Sequence, residues 1–119
     1  LNVVSDQHGS PTYAEDLANI IGQAIEKKIP YGIYHTTNQG FTTWYEFTKK
    51  IFELANIPCK VNPVTTERYI EMMNIKQAKR PFNSQLSKDK ILAQGIEIPE
   101  WENGLKRYLE VELTERKFN

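Results

Sequence analysis

The chain has 119 residues, enough for one domain with a modest core. Fifteen basic and fifteen acidic side chains cancel, which argues against nucleic acid as a partner, because phosphate recognition wants a basic excess or stripe. Apolar residues make up 39% and no run of them reaches membrane-spanning length, so the expectation is a globular protein that engages no membrane.

Leu1–Val4 reads as a short strand that runs into the polar corner Ser5-Asp-Gln-His-Gly-Ser-Pro-Thr12. Thr12-Tyr-Ala-Glu15 has the spacing of a capping box. The helix after it places Tyr13, Leu17, Ile20, Ile21, Ala24 and Ile25 on an inward face and stops at Pro30. Tyr31–Thr37 (YGIYHTT) is β-prone, and Asn38-Gln39-Gly40 is a turn. A second capping box, Thr43-Trp-Tyr-Glu46, starts a helix with Trp44, Phe47, Ile51, Leu54 and Ala55 on one face.

Lys60–Val64 is predicted as a strand, with the single cysteine, Cys59, half-buried at its start. One cysteine excludes an intrachain disulfide and fits a reducing, cytoplasmic compartment. Thr66–Met73 suits a short helix and Asn74–Lys79 a loop. Arg80-Pro-Phe-Asn-Ser-Gln-Leu86 should be extended, since the residue before proline is pushed out of the α region. Ser87 caps a short helix closed by Gly95. Pro99 opens a last helix with Trp101, Leu105, Tyr108 and Leu109 inward, and the charged tail from Glu110 to Asn119 should fray. Gly104 inside that helix costs about 1 kcal/mol against alanine. Short strands alternating with helices give the α/β or α+β class, and these strands look like edges of a sheet whose centre lies elsewhere.

Several chemistries lack their residues. There is no GxGxxG, no phosphate-binding loop and no GxSxG elbow. No His, Cys, Asp and Glu cluster has metal-ligand spacing; His8 reads as a solvated or locally hydrogen-bonded loop residue near Asp6, and His35, in a separate segment, as structural. Tyr45-x-x-x-Lys49 has the spacing of a dehydrogenase proton-donor pair. It falls in the first turns of an amphipathic helix, with no dinucleotide fold before it, and reads as helix surface.

Five blocks in order carry a resemblance. They are Val4-Ser-Asp-Gln-His-Gly-Ser-Pro-Thr with Asp16-Leu-Ala, Gly32-Ile-Tyr-His-Thr-Thr-Asn with Thr43-Trp-Tyr-Glu-Phe, Pro63-Val-Thr-Thr-Glu-Arg-Tyr, Arg80-Pro-Phe-Asn-Ser-Gln-Leu-Ser, and Ile98-Pro-Glu-Trp with Gly104-Leu. Together they resemble the dTDP-4-dehydrorhamnose reductases, extended short-chain dehydrogenase/reductases, over nearly the whole chain. The resemblance implies the C-terminal sugar-nucleotide lobe alone: an α/β domain over residues 1–119 of several helices and a few short strands, with the Rossmann domain absent. That family reduces the C4 ketone of dTDP-4-dehydro-L-rhamnose to give dTDP-L-rhamnose, a cell-surface sugar donor. NADPH and the catalytic Tyr and Lys would then belong to a missing N-terminal domain, so this chain would hold no catalytic residue and no cofactor and would be inactive alone. An exposed apolar face where that domain docks, and self-association through it, are expected.

The resemblance also directs attention to ligand contacts. A sugar nucleotide needs a cationic fork for its diphosphate, hydrogen-bonding side chains for its hydroxyls and a wall for its base. Arg80, stiffened by Pro81, is the candidate fork, because a guanidinium grips phosphate oxygens in bidentate fashion. Its alternative is an ion pair with a surface carboxylate. Asn83 can hydrogen-bond either backbone or ligand, and Gln7 is the freer side chain of the first corner, where Asp6 should make local amide bonds. Trp44 could wall a base, but its helical spacing directs it, like Trp101, to the core. A second reading stays open: a non-catalytic binding module similar to the regulatory beta subunit of methionine adenosyltransferase, whose corresponding blocks look broadly similar.

Overall fold

Valine-rich β1 (Asn2–Val4) pairs in parallel with β4 (Asn62–Val64), in the register Asn2 to Asn62 and Val4 to Val64. A second two-stranded sheet is antiparallel and sets β2 (His8–Gly9) beside β3 (Thr42–Thr43). The computed structural model describes residues 1–115. Five helices complete the described residues: α1 (Ala14–Glu26), α2 (Trp44–Ala55), α3 (Thr66–Met73), α4 (Asp89–Leu92) and α5 (Trp101–Glu115). This is a small mixed α/β domain.

The caps follow from side-chain chemistry. Thr43 Oγ1 accepts the Glu46 amide (3.2 Å) at the start of α2, and Thr65 Oγ1 accepts the Arg68 amide (3.1 Å) at the start of α3. The first predicted box does not form. Thr12 Oγ1 instead donates to the Ser10 carbonyl and accepts the Asn38 amide, while Asn38 Oδ1 takes the Tyr13 amide at 2.7 Å. The Thr12 side chain and Asn38 thus tie the start of α1 to the turn after residue 37, and no side chain among the described residues takes the amides that the box would have capped.

The core is small. Ile20, Ile91 and Ile96 are buried together, with Ala24, Ile29, Tyr34 and Ile98 packed around them. Trp101 and Leu105 are buried in α5, where Phe47 of α2 meets the Trp101 ring edge-on with centroids 6.0 Å apart. Several expected inward residues are open: Leu17, Ile21, Ile25 and Tyr108 are exposed, and Trp44 is 57% accessible. Cys59 is also exposed and lies outside any strand. Tyr31–Thr37 forms no strand. Glu110–Glu115 continues α5 rather than fraying, and the rest of the predicted frayed tail lies outside the described residues. The molecule is a slab of 49 × 40 × 20 Å. Its Cα radius of gyration, 17.0 Å, exceeds the about 13.5 Å of a compact domain of this length.

A buried polar cluster ties the first helix to the last. Asp16 is 2% exposed and Asn38 fully buried. Asn38 Nδ2 donates to Asp16 Oδ2 (2.8 Å) and to the Pro99 carbonyl (3.1 Å), and Arg107 Nη2 donates to the same Asp16 oxygen at 2.7 Å. Gly104 permits this approach, because a Cβ there would stand 2.9 Å from Asp16 Oδ2. That oxygen is pinned by two donors and has nowhere to go. Gly104→Ala is therefore expected to destabilise by about 1 kcal/mol, the crowding penalty outweighing the about 1 kcal/mol gained in helix propensity. A urea midpoint at or above that of the parent would contradict it.

Candidate functional site

The Ser5–Ser10 corner lies where both small sheets meet. The Asp6 carboxylate accepts the Thr66 amide (3.0 and 3.1 Å) and the Thr66 hydroxyl (2.6 Å). These bonds reach the first turn of α3, where a carboxylate is favoured by the helix dipole. They replace the local bonds expected of Asp6. Gln7 Nε2 adds a bond to Thr66 Oγ1 at 3.0 Å, so this side chain is half-committed rather than free. His8 lies in β2, not in a loop. Its amide bonds the Phe82 carbonyl (2.7 Å) and its own carbonyl receives the Ser84 amide (2.8 Å), which hangs residues 82–84 on the edge of β2.

An open cleft of about 760 Å³ results. Its lining includes Gln7, Ser10 and Pro11 of the corner, Trp44 and Phe47 of α2, Tyr69 of α3, and Arg80 and Ser84. Trp44 sits here because it is the first residue after β3, at the mouth of α2, and its ring rests edge-on against Phe47 with centroids 6.3 Å apart. Arg80 is exposed and makes no hydrogen bond or ion pair among the described residues. The anticipated alternative, an ion pair with a surface carboxylate, is not formed among the described residues. Asn83 is not among the lining residues, and its Oδ1 accepts the Gln85 amide at 2.9 Å. Gln7 and Arg80 are thus brought to one cavity, while Asn83 shapes the turn behind it.

Tyr69 and Gln77 are cleft residues that the sequence reading passed over. Tyr69 lies one turn beyond the Thr65 cap and follows Arg68, so its position was legible once α3 was placed. Nothing in the sequence marks Gln77. A cation and an aromatic wall around an open cleft suit an anionic ligand with a flat ring. Among the described residues there is no group of three His, Cys, Asp or Glu side chains able to hold a metal ion, and no helix is long and apolar enough to cross a membrane.

The chain is similar to known proteins over most of its length. The RmlD substrate binding domain family matches residues 1–114. The spore coat polysaccharide biosynthesis protein SpsK of Bacillus subtilis is 40% identical over 92% of this chain and 36% of its own. The dTDP-4-dehydrorhamnose reductase of Aggregatibacter actinomycetemcomitans is 40% identical over 89% of this chain and 38% of its own. Among solved structures, the Clostridium acetobutylicum dTDP-4-dehydrorhamnose reductase superposes with a TM-score of 0.85 at 37% identity, covering 95% of this chain and 39% of that one. The Bacillus anthracis reductase, solved in complex with NADP, gives 0.78 at 39% identity, covering 92% and 36%. The chain therefore spans little more than a third of the length of the relatives it matches. No glycine-rich turn follows β1, and the corner glycine, Gly9, faces Ser84, whose Oγ would stand 2.8 Å from a Cβ there. With the family match spanning residues 1–114, the chain belongs to the RmlD substrate binding domain family.

Proposed function

We propose that this chain is the substrate-gripping part of an NADPH-dependent reductase of dTDP-4-dehydro-L-rhamnose, and that alone it has no reductase activity. One observation carries the reading: Arg80 stands in the cleft with no partner among the described residues. An unpaired guanidinium beside an aromatic wall is matched to a nucleoside diphosphate, whose phosphates take the fork and whose base takes the ring. Gln7 spends its amide nitrogen on Thr66 and keeps its carbonyl oxygen for a sugar hydroxyl. Asn83, engaged with Gln85, orders the segment that presents Arg80. The chain's part in the reaction is orientation of the sugar, which can lower a barrier substantially when geometry is right. The redox step itself falls to polypeptide outside it.

The test is a chimaera in which this chain replaces the matching segment of the Clostridium acetobutylicum reductase. Arg80→Ala should raise the inhibition constant of dTDP about tenfold to a hundredfold, the worth of one or two charged hydrogen bonds. It should raise KM for the dTDP-sugar more than it lowers kcat, and Arg80→Lys should recover only part of the loss. A folded Arg80→Ala chimaera with unchanged dTDP inhibition would end this assignment, as would NADPH-dependent turnover by the 119-residue chain alone.

A further inference from the structure

We infer that Thr66 is a positioning residue: it fixes the polarity of the Gln7 amide, so that the cleft offers an oriented carbonyl oxygen to a hydroxyl of the sugar, a role that rests on reading the cleft as a dTDP-sugar site. A carboxylate accepts hydrogen bonds and cannot donate them. Asp6 takes the Thr66 amide at 3.0 and 3.1 Å and the Thr66 hydroxyl proton at 2.6 Å. A threonine hydroxyl has one proton to give. With that proton spent on Asp6, Thr66 Oγ1 can only accept from Gln7, so the Gln7 group 3.0 Å away is the Nε2 amide. The Gln7 carbonyl oxygen is left over, and among the described residues it receives no hydrogen bond.

Gln7 lines the cleft with Trp44 and Arg80, whereas Thr66 is not among the lining residues. Thr66 therefore acts through Gln7 and not on the ligand. It opens α3, and both Asp6 oxygens hold its amide, so its hydroxyl is fixed from the backbone side as well. An unheld glutamine can present either end of its amide and loses rotamer freedom when a ligand arrives. Held by Thr66, Gln7 presents one end, and much of that ordering is complete before binding. A chain of hydrogen bonds that starts at a carboxylate also polarises its members, which makes the terminal oxygen a better acceptor. Such an oxygen favours a hydroxyl and disfavours a carbonyl at the same place. It therefore suits the ring hydroxyls that the reduction leaves untouched and not the C4 ketone. The thymine N–H is the other donor such a ligand carries.

The experiment uses the chimaera with the Clostridium acetobutylicum reductase and two inhibitors, dTDP and dTDP-L-rhamnose, which differ by the sugar alone. Thr66→Val keeps the side-chain shape and removes the hydroxyl. It should weaken dTDP-L-rhamnose about fivefold to tenfold, the worth of one hydrogen bond, and leave dTDP within about twofold of the parent. Thr66→Ser keeps the hydroxyl and should keep the parent's ratio of the two constants. Gln7→Leu should repeat the loss seen in Thr66→Val, and the double variant should lose no more than either single one, because both act through one oxygen. Gln7→Leu leaves the bonds between Asp6 and Thr66 in place, so it reads that oxygen with the start of α3 intact. Equal weakening of dTDP and dTDP-L-rhamnose in Thr66→Val would overturn the inference, since the oxygen would then serve the base or Thr66 would be structural only. Additive losses in the double variant, or an unchanged dTDP-L-rhamnose constant in Gln7→Leu, would overturn it too. Arg80→Ala acts on dTDP itself, so the nucleotide reading and the role of Thr66 fail separately.

Discussion

Replacing Asn38 with leucine is expected to destabilise the domain by about 3–5 kcal/mol, the range for breaking a buried hydrogen-bond network. The two side chains have nearly equal volume, so little of the effect comes from a cavity. It comes from the groups left behind. The Tyr13 amide loses its acceptor, the Pro99 carbonyl loses a donor, and the Asp16 carboxylate loses one of its two. None can turn to water easily, because Asn38 is fully buried and Asp16 nearly so. Asn38→Asp should recover little, since it restores the Tyr13 acceptor but sets a second carboxylate against Asp16. Urea unfolding at neutral pH checks both, and a loss below about 1 kcal/mol in Asn38→Leu would show that the network contributes little.

This cluster also marks how far the sequence could be read. The α2 cap was legible because Thr43 and Glu46 are local and their geometry needs only each other. Thr12 and Glu15 have the same spacing, yet Thr12 Oγ1 turns to the Ser10 carbonyl and the Asn38 amide, and Asn38, 25 positions on from Tyr13, takes the Tyr13 amide. Local pattern cannot weigh a competitor brought in by the fold. The same limit explains Gly104, which reads as a defect in a helix and proves to be the gap that admits Asp16. Asp6 likewise bonds Thr66 rather than its neighbours.

The open residues teach a different lesson. Helical spacing correctly found an apolar arc on α1, but periodicity reports where apolar side chains lie, not whether anything covers them. Tyr31–Thr37 was read as a strand and stays unpaired, because a strand requires a partner that local β-propensity cannot provide. In the cleft, Arg80 and Gln7 were found through their residue chemistry, whereas Trp44 was directed to the core. Its first-turn position beside β3 outweighs its apolar character: the side chain stays 57% exposed there and lines the cleft.

Arg107→Leu should cost about 2–4 kcal/mol at neutral pH, somewhat below the full penalty for stranding a buried charge, because Arg107 itself is a third exposed. The argument turns on Asp16. Burial pushes its carboxyl up, but hydrogen bonds from Arg107 and Asn38 and the charge of Arg107 outweigh burial and hold it below the ordinary carboxylate range. A carboxyl lowered by folding contributes stability that is fully present above its unfolded pKa of about 3.9 and lost as pH falls through the folded value. The parent should therefore weaken on acidification below about pH 4. In Arg107→Leu the guanidinium is gone and burial remains, so Asp16 prefers its neutral form and protonation relieves the variant. The stability gap between the two proteins should be widest at neutral pH and narrow steadily as pH falls through the carboxylate range. Paired urea curves from pH 7 to pH 3 measure that gap directly. Were it constant across the range, Arg107 would be acting through packing of its side-chain stem rather than through its charge on Asp16, and the electrostatic role assigned to the pair would be wrong.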